Sequence, residues 1–490
     1  NLPVTGVDKI KILGIYFTKE KMARDLKENW EGRVDRIHKL IKLWNRRDLS
    51  IHGKIVVIKT FLLSQVTYVM QSIGLPQEVL VDLNTLLYRF IWQRKFSNKK
   101  AFEKVKRKVM ESDYSNGGVN MINLFETQKF FYLQWIGKLF GANHENWASI
   151  PSWHYQKLAG HNNMFNMNCS SKTIKGLQSL ENGFWKTALL TYLDCKNRTI
   201  LTDVTSQNVY EQQLFNNTLI CFKGQVLHFF KWITSGITCI KDFVFERENR
   251  LLTLEETQRF IIQNPAVTFF FFFLLVNAIP EEWIRWIQNG GRNPEHAKRL
   301  ECEAEQFNKK PKLIKEYLQN KHKELIIKPN GEQFWKRKLD FDFDKHVWLM
   351  ARNVTKEVRL CELQWKINHN IYPTNIILQK MKVCQTNTCD FCPNEIDFME
   401  HFFFSCAQTK PLWAHVENRL AAETGKRIFL TVKEVLFGVF RKGFNSKDLR
   451  KINHQILVAK MCISIVKKTK VRIPLHVIYD NNLRIRIQLV

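Results

Sequence analysis

A mainly α-helical protein with short β strands is predicted by three features of this chain. Apolar residues recur at steps of three and four through much of its length, a compact β-branched and aromatic stretch stands near its start, and a tight Cys/Cys/His/Cys grouping lies toward its end. The expected architecture is a helical bundle, then a mixed middle region, then a small C-terminal domain organised by the Cys/His grouping.

The first element is read from residues 10–17, Ile-Lys-Ile-Leu-Gly-Ile-Tyr-Phe, which predict one or two short strands. Trp30, Val34, Ile37, Ile41 and Trp44 then predict a helix whose opposite face carries Arg33, Arg36, Lys39 and Lys42. A cap signal at Asp48 or Ser50 opens a second helix, with Ile51, Ile55, Ile58, Leu62 and Val66 on one face and Lys54 and Lys59 on the polar side. Pro76 starts a third, through Val79, Leu83, Leu86, Leu87 and Phe90 to Ile91-Trp92, and together these make a small bundle.

Asn116-Gly117-Gly118 predicts a hairpin or tight loop, and residues 125–140 resume the helical period. Residues 145–330 mix helical and strand patterns without an internal repeat. Within them, residues 269–276 begin with five consecutive Phe; the run is far shorter than the roughly 20 apolar residues of a spanning helix and reads as a buried segment. Asp340, Asp342 and Asp344 alternate with Phe341 and Phe343, the pattern of a half-buried strand with a polar outer face. Residues 448–469 predict a helix with Ile452, Ile456, Leu457, Ala459, Ile463 and Val466 opposite a basic side of Lys460, Lys467 and Lys468. Such a side lies on a phosphate backbone or is simply solvated.

The 490 residues carry 75 Lys+Arg against 46 Asp+Glu, a formal charge of +29, and 45% of them are hydrophobic. Substantial cores are therefore expected, together with a polyanionic partner, because neutralising phosphates and releasing their counterions is the main nonspecific force in nucleic-acid binding. Charge alone does not choose among DNA, RNA and an anionic membrane. Most of the eleven cysteines stand alone, at Cys169, Cys195, Cys221, Cys239, Cys302, Cys361 and Cys462, which reads as a reducing, intracellular compartment and not a disulfide scaffold. The opening Asn1-Leu2-Pro3-Val4 has no initiator Met and no secretory layout, so a chain truncated at its N-terminus is expected.

The chemistry concentrates in Cys389-x2-Cys392-x8-His401-x4-Cys406. Two thiolates separated by two residues chelate one Zn²⁺ from a tight turn, and a second pair completes the tetrahedron. Four protein ligands leave no open position, which marks a structural zinc and a small zinc-stabilised C-terminal domain. Pro393 and Asn394 suit the turn, while Phe402, Phe403, Phe404 and Trp413 supply an apolar shell. Cys384 is a fifth nearby thiol, too far along the chain from Cys389 for a two-residue chelate, and is left out.

No group for turnover can be named from spacing. Two-metal nucleotidyl transfer needs paired carboxylates, and the nearest sequence, Tyr479-Asp480-Asn481, offers one. There is no Gly-rich phosphate loop. The chain alone is therefore expected to bind and not to catalyse.

The ordered set Leu13-Gly14-Ile15, residues 44–54 (Trp-Asn-Arg-Arg-Asp-Leu-Ser-Ile-His-Gly-Lys), Tyr68, Leu75-Pro76 and Phe90-Ile91-Trp92 resembles the region after the polymerase palm in LINE-type (non-LTR) retrotransposon reverse transcriptases. The likeness continues through Asn116-Gly117-Gly118-Val119, Ala278-Ile279-Pro280 with Trp283, Leu363-Gln364-Trp365-Lys366-Ile367, Tyr372-Pro373-Thr374 and Leu378. It ends on the Cys/His quartet with Phe391, Glu400, Phe404 and Trp413, similar to the zinc-binding domain of these enzymes.

The resemblance implies residues 1–17 as the end of the palm, 18–95 as a helical thumb, 96–330 as a middle region, 331–425 as the zinc-binding domain and 426–490 as a basic C-terminal helical region. It implies an RNA-directed DNA polymerase as parent, with Mg²⁺ confined to its missing palm. Arg46, Arg47, Ser50, Lys54 and Lys59 would meet the template-primer backbone. Template RNA and target DNA would be the partners, within a nuclear or cytoplasmic ribonucleoprotein and without a membrane. The alternative is a domesticated zinc-binding module that meets protein partners.

Overall fold

The computed structural model describes residues 8–19, 21–93, 102–141, 146–149, 151, 183–199, 204–206, 209–261, 265–290, 307, 310–320, 328–469 and 473–487. Cys169, Cys302 and the side chain of Cys195, expected to stand alone, lie outside them, as does Asn1. Cys221, Cys239, Cys361 and Cys462 are free thiols. The described residues are mainly helical, with only short strands, as the apolar periodicity predicts.

Two compact units are built from interleaved segments. One comprises Asn1–Glu31, Thr67–Leu80 and Leu124–Ile326; the other comprises Gly32–Val66, Val81–Asn123 and Ile327–Val490.

The first unit opens on a hairpin, Lys9–Ile12 paired antiparallel with Ile15–Thr18, whose register puts Ile12 opposite Ile15. Leu13 and Gly14 form the two-residue loop, both at positive φ (46° and 82°), the backbone twist that a tight hairpin turn demands. Asn29 ties the hairpin down, accepting from the Tyr16 amide at 2.7 Å and donating to the Tyr16 carbonyl at 2.9 Å.

Further along, helix Leu124–Gly141 packs against Gly183–Thr199 and Pro311–Asn320 around Leu133, Ile136, Leu189, Leu193 and Ile314. A separate core surrounds Trp232, Phe243, Leu275, Trp283 and Ile287, fringed by two-residue hairpins at Cys221–Phe222/Gln225–Val226 and Val244–Phe245/Arg250–Leu251.

The Phe run corrects its expected burial. It forms helix Pro265–Val276, in which Phe271, Phe272 and Leu275 meet the core while Phe269, Phe270 and Phe273 are 57%, 57% and 50% exposed. A helix hydrophobic on every side has a buried face and an open one whenever the core is one-sided.

In the second unit, helix Glu31–Trp44 buries Ile37 and Ile41. Ser50 caps the next helix, Ile51–Val57, by accepting from the Gly53 amide at 3.0 Å, which satisfies one orphan donor of the first turn. Asn116-Gly117-Gly118 is a tight loop and not a hairpin: Gly117 stands at φ 79° after a single 3₁₀ turn, Tyr114–Asn116. The main core is C-terminal, around Trp335, Ile367, Phe403, Leu436, Phe437, Ile456 and Ile463.

Two expectations fail here. Asp340, Asp342 and Asp344 lie on no strand; they join helix Asn330–Leu339 to Lys345–Val354. Asp344 caps the second of these, accepting from the His346 and Val347 amides at 2.8 and 3.0 Å, while Lys336 pairs with Asp340 and Asp342 at 2.9 and 2.7 Å. Capping outweighs the alternation because it satisfies otherwise unpaired amides. The final long helix, Ser446–Thr469, does not offer Lys460 and Lys467 to a phosphate backbone. Both are buried; the Lys460 ammonium donates to Gln364 Oε1 and, at 3.3 Å, to the Leu436 carbonyl.

Among the described residues no single helix is long and apolar enough to cross a membrane; the bent pair Ile51–Leu62 and Ser64–Ser72 passes by length and composition only.

Candidate metal centre

Cys389 and Cys392 sit on a knuckle closed by two backbone bonds to Glu395. The Cys389 amide donates to the Glu395 carbonyl at 2.8 Å and the Glu395 amide to the Cys392 carbonyl at 2.9 Å. The Asp397 amide then donates to the Asn387 carbonyl at 2.8 Å, so the chain returns antiparallel beside its own start. Pro393 and Asn394 fall at the tip of this turn, where an extended ladder has nothing to pair with.

The other two candidate donors open and follow a widened π-helical turn, His401–Ser405, with the Cys406 amide donating to the His401 carbonyl at 3.0 Å. An ordinary α-helix separates residues five apart by about 500° of rotation; the wider turn brings them nearer one face. Thr409 anchors its exit, donating from Oγ1 to the Phe404 and Cys406 carbonyls at 2.8 and 3.0 Å. The Trp413 indole donates to the Phe403 carbonyl at 2.7 Å.

Together these elements bring one donor atom each from Cys389, Cys392, His401 and Cys406 within 4.8 Å of one another. Cys406 Sγ lies 3.8 Å from both Cys389 Sγ and Cys392 Sγ. A tetrahedral ion with metal–sulfur bonds of about 2.3 Å sets its sulfurs about 3.8 Å apart, so both separations from Cys406 already match the edges of such a tetrahedron. The His401 Nε2 is buried and makes no hydrogen bond, the condition of a nitrogen left for a metal. Cys384 turns away, donating to the Asn375 and Thr386 carbonyls.

The Cys389 thiol is held well below its ordinary value. The Cys406 thiol donating to it is the main cause, opposed by burial and helped by the Phe391 backbone and the Lys467 ammonium. Cys406, as the donor of that bond, is pushed up correspondingly.

Two neighbours of this site escaped sequence reasoning. Lys467 Nζ stands 3.9 Å from Cys389 Sγ, 3.6 Å from Asp397 Oδ1 and 4.1 Å from the centre of the Phe402 ring. Asp397 in turn accepts from the Asn375 amide at 2.9 Å, and its carboxyl is pushed up chiefly by burial. The available signal was periodicity, because Lys467 continues the stripe Ile456, Lys460, Ile463 at steps of four and three.

The residues expected to meet a nucleic-acid backbone divide. Arg46, Arg47 and Lys59 are exposed, with the Arg47 guanidinium 5.1 Å from the centre of the Trp44 ring. Ser50 is used as a helix cap. Lys54 is a correction: it is only 7% exposed, and its ammonium donates to the Phe90, Ile91 and Gln93 carbonyls at 2.9, 3.3 and 2.8 Å. Its charge closes the C-terminal end of helix Gln77–Trp92, where orphan carbonyls and the helix dipole favour a cation, and is not offered to phosphate.

No family model matches the chain, and no curated protein matches it.

Proposed function

We propose that this chain is a nucleic-acid-binding segment built around one structural zinc centre, of the kind that follows the palm in LINE-type reverse transcriptases. In that reading it holds template RNA or target DNA and carries out no nucleotidyl transfer itself. The observation that carries the zinc assignment is the convergence of four protein donors within 4.8 Å, with the His401 Nε2 buried and making no hydrogen bond. A bound zinc would supply four bonds that fasten the Cys389/Cys392 knuckle to the His401–Ser405 turn, with no coordination position left for substrate.

The nucleic-acid assignment is supported by the charge of +29 and by the exposed Arg46 and Arg47. Arginine suits this work because its guanidinium forks onto phosphate oxygens. The family resemblance of the sequence supplies the retrotransposon origin, in which Mg²⁺ belongs to the palm of the parent polymerase.

The second reading, a zinc-stabilised module for protein partners, is favoured by one observation, the open face of Phe269, Phe270 and Phe273. Salt separates the two. Affinity of the purified chain for single-stranded RNA and for duplex DNA, followed by fluorescence anisotropy, should fall linearly in log–log form as salt rises. A flat response, or no binding at low salt, would favour the protein-interaction module.

A further inference from the structure

We propose that Lys467 is the counter-cation of the metal centre, donating to the Cys389 thiolate and thereby holding the three-thiolate set in its closed, unreactive form. This rests on the zinc reading above.

Three thiolates, one neutral imidazole and a divalent ion sum to one negative charge, and a buried negative charge is costly unless a cation answers it. Lys467 is the ammonium in position to do so: its side chain is 6% exposed, and it reaches Cys389 Sγ at 3.9 Å from the far end of helix Ser446–Thr469. Asp397 does not consume this cation. Their 3.6 Å separation exceeds a hydrogen bond, and Asp397 Oδ1 makes none with any group. The ammonium is therefore shared between a carboxylate and a thiolate, with the Phe402 ring face against it at 4.1 Å.

A donor aimed at a metal-bound sulfur withdraws electron density from it. The thiolate becomes harder to alkylate, and because its buried negative charge is answered by a cation the metal-bound state is favoured. Lys467 is thus a positioning residue for the centre, and it fastens the knuckle to helix Ser446–Thr469 by charge as well as by packing.

Cobalt(II) in place of zinc reports on the sulfur directly, through the energy of its thiolate-to-cobalt charge-transfer band. In the full chain, K467M should bind Co²⁺ roughly 10- to 100-fold more weakly, the usual effect of removing an outer-shell partner. Its charge-transfer band should move to lower energy, and K467R should restore both. D397N, which removes the competing carboxylate while keeping an acceptor for the Asn375 amide, should move the band to higher energy. This keeps the test decisive if K467M does not fold.

Wild-type Co²⁺ affinity and an unmoved band in folded K467M, or an unmoved band in D397N, would overturn the proposal and leave the zinc reading standing. Absence of any thiolate-to-cobalt band in the wild-type chain would instead overturn the zinc reading itself.

Discussion

The Trp365 indole N–H donates to the Gly117 carbonyl at 2.9 Å, joining two residues 248 positions apart in the chain. His369 Nε2 reaches the same carbonyl at 2.7 Å, so both lone pairs of one loop oxygen are taken by buried rings of one helix end. Gly117 is suited to this place twice over. Its φ of 79° is strained for any residue with a Cβ, and a Cβ would come within 3.0 Å of the Trp348 ring and of Pro329. Gly117→Ala should therefore destabilise the unit by about 1–2 kcal/mol, read as a lower urea midpoint with an unchanged slope. An unaltered midpoint would show that the loop is not held in this way.

Acid should act on the same junction. Burial holds His369 at about 4 and His52 at about 4, against an ordinary value of 6.5; for His52 the nearby Arg352 and Lys366 add to the effect. Below 6.5 the unfolded chain binds protons that the folded chain refuses, so stability is full above that pH and is lost as pH falls toward 4. His369→Gln keeps a donor for the Gly117 carbonyl and removes the titration. It should flatten the loss between pH 6.5 and 4 by up to about 3 kcal/mol. The comparison is one of urea midpoints across that window, and parallel wild-type and variant curves would contradict the prediction.

Lys54 and the Arg46/Arg47 pair should separate cleanly. Lys54→Met leaves the Phe90, Ile91 and Gln93 carbonyls without their cation and should cost about 1–3 kcal/mol of stability. It should leave the salt slope of RNA binding unchanged. Replacing Arg46 and Arg47 by Ala should do the reverse, with stability within about 0.5 kcal/mol of the wild type and the slope smaller by about 2, one for each phosphate no longer neutralised. A smaller slope in Lys54→Met would return that lysine to the phosphate-binding set.

What could be read in advance was local. The strands around Leu13-Gly14 and the Ser50 cap depend on neighbours a few residues away, and the Cys389/Cys392/His401/Cys406 set on residues at most 17 apart, so spacing carries that information. What misled was long-range. Lys460 and Lys467 look like a polar face until Gln364, Leu436, Asp397 and Cys389 arrive from elsewhere to surround them. Lys54 likewise meets the end of a helix 36 to 39 residues away. Asp344 failed as a strand residue for a different reason: alternation and capping make the same local pattern, and only the start of a helix at Lys345 chooses between them.

Cys389, Cys392, His401 and Cys406 are proposed to hold one structural zinc. Native mass spectrometry of the chain, purified under reducing conditions without added chelator, tests this most directly. One zinc per chain is expected, lost on replacing His401 by Ala and accompanied by loosening of residues 384–410 in hydrogen exchange while the Gly117–Trp365 junction stays protected. A metal-free mass for the wild-type chain, or equal zinc content in the His401 variant, would overturn the zinc centre.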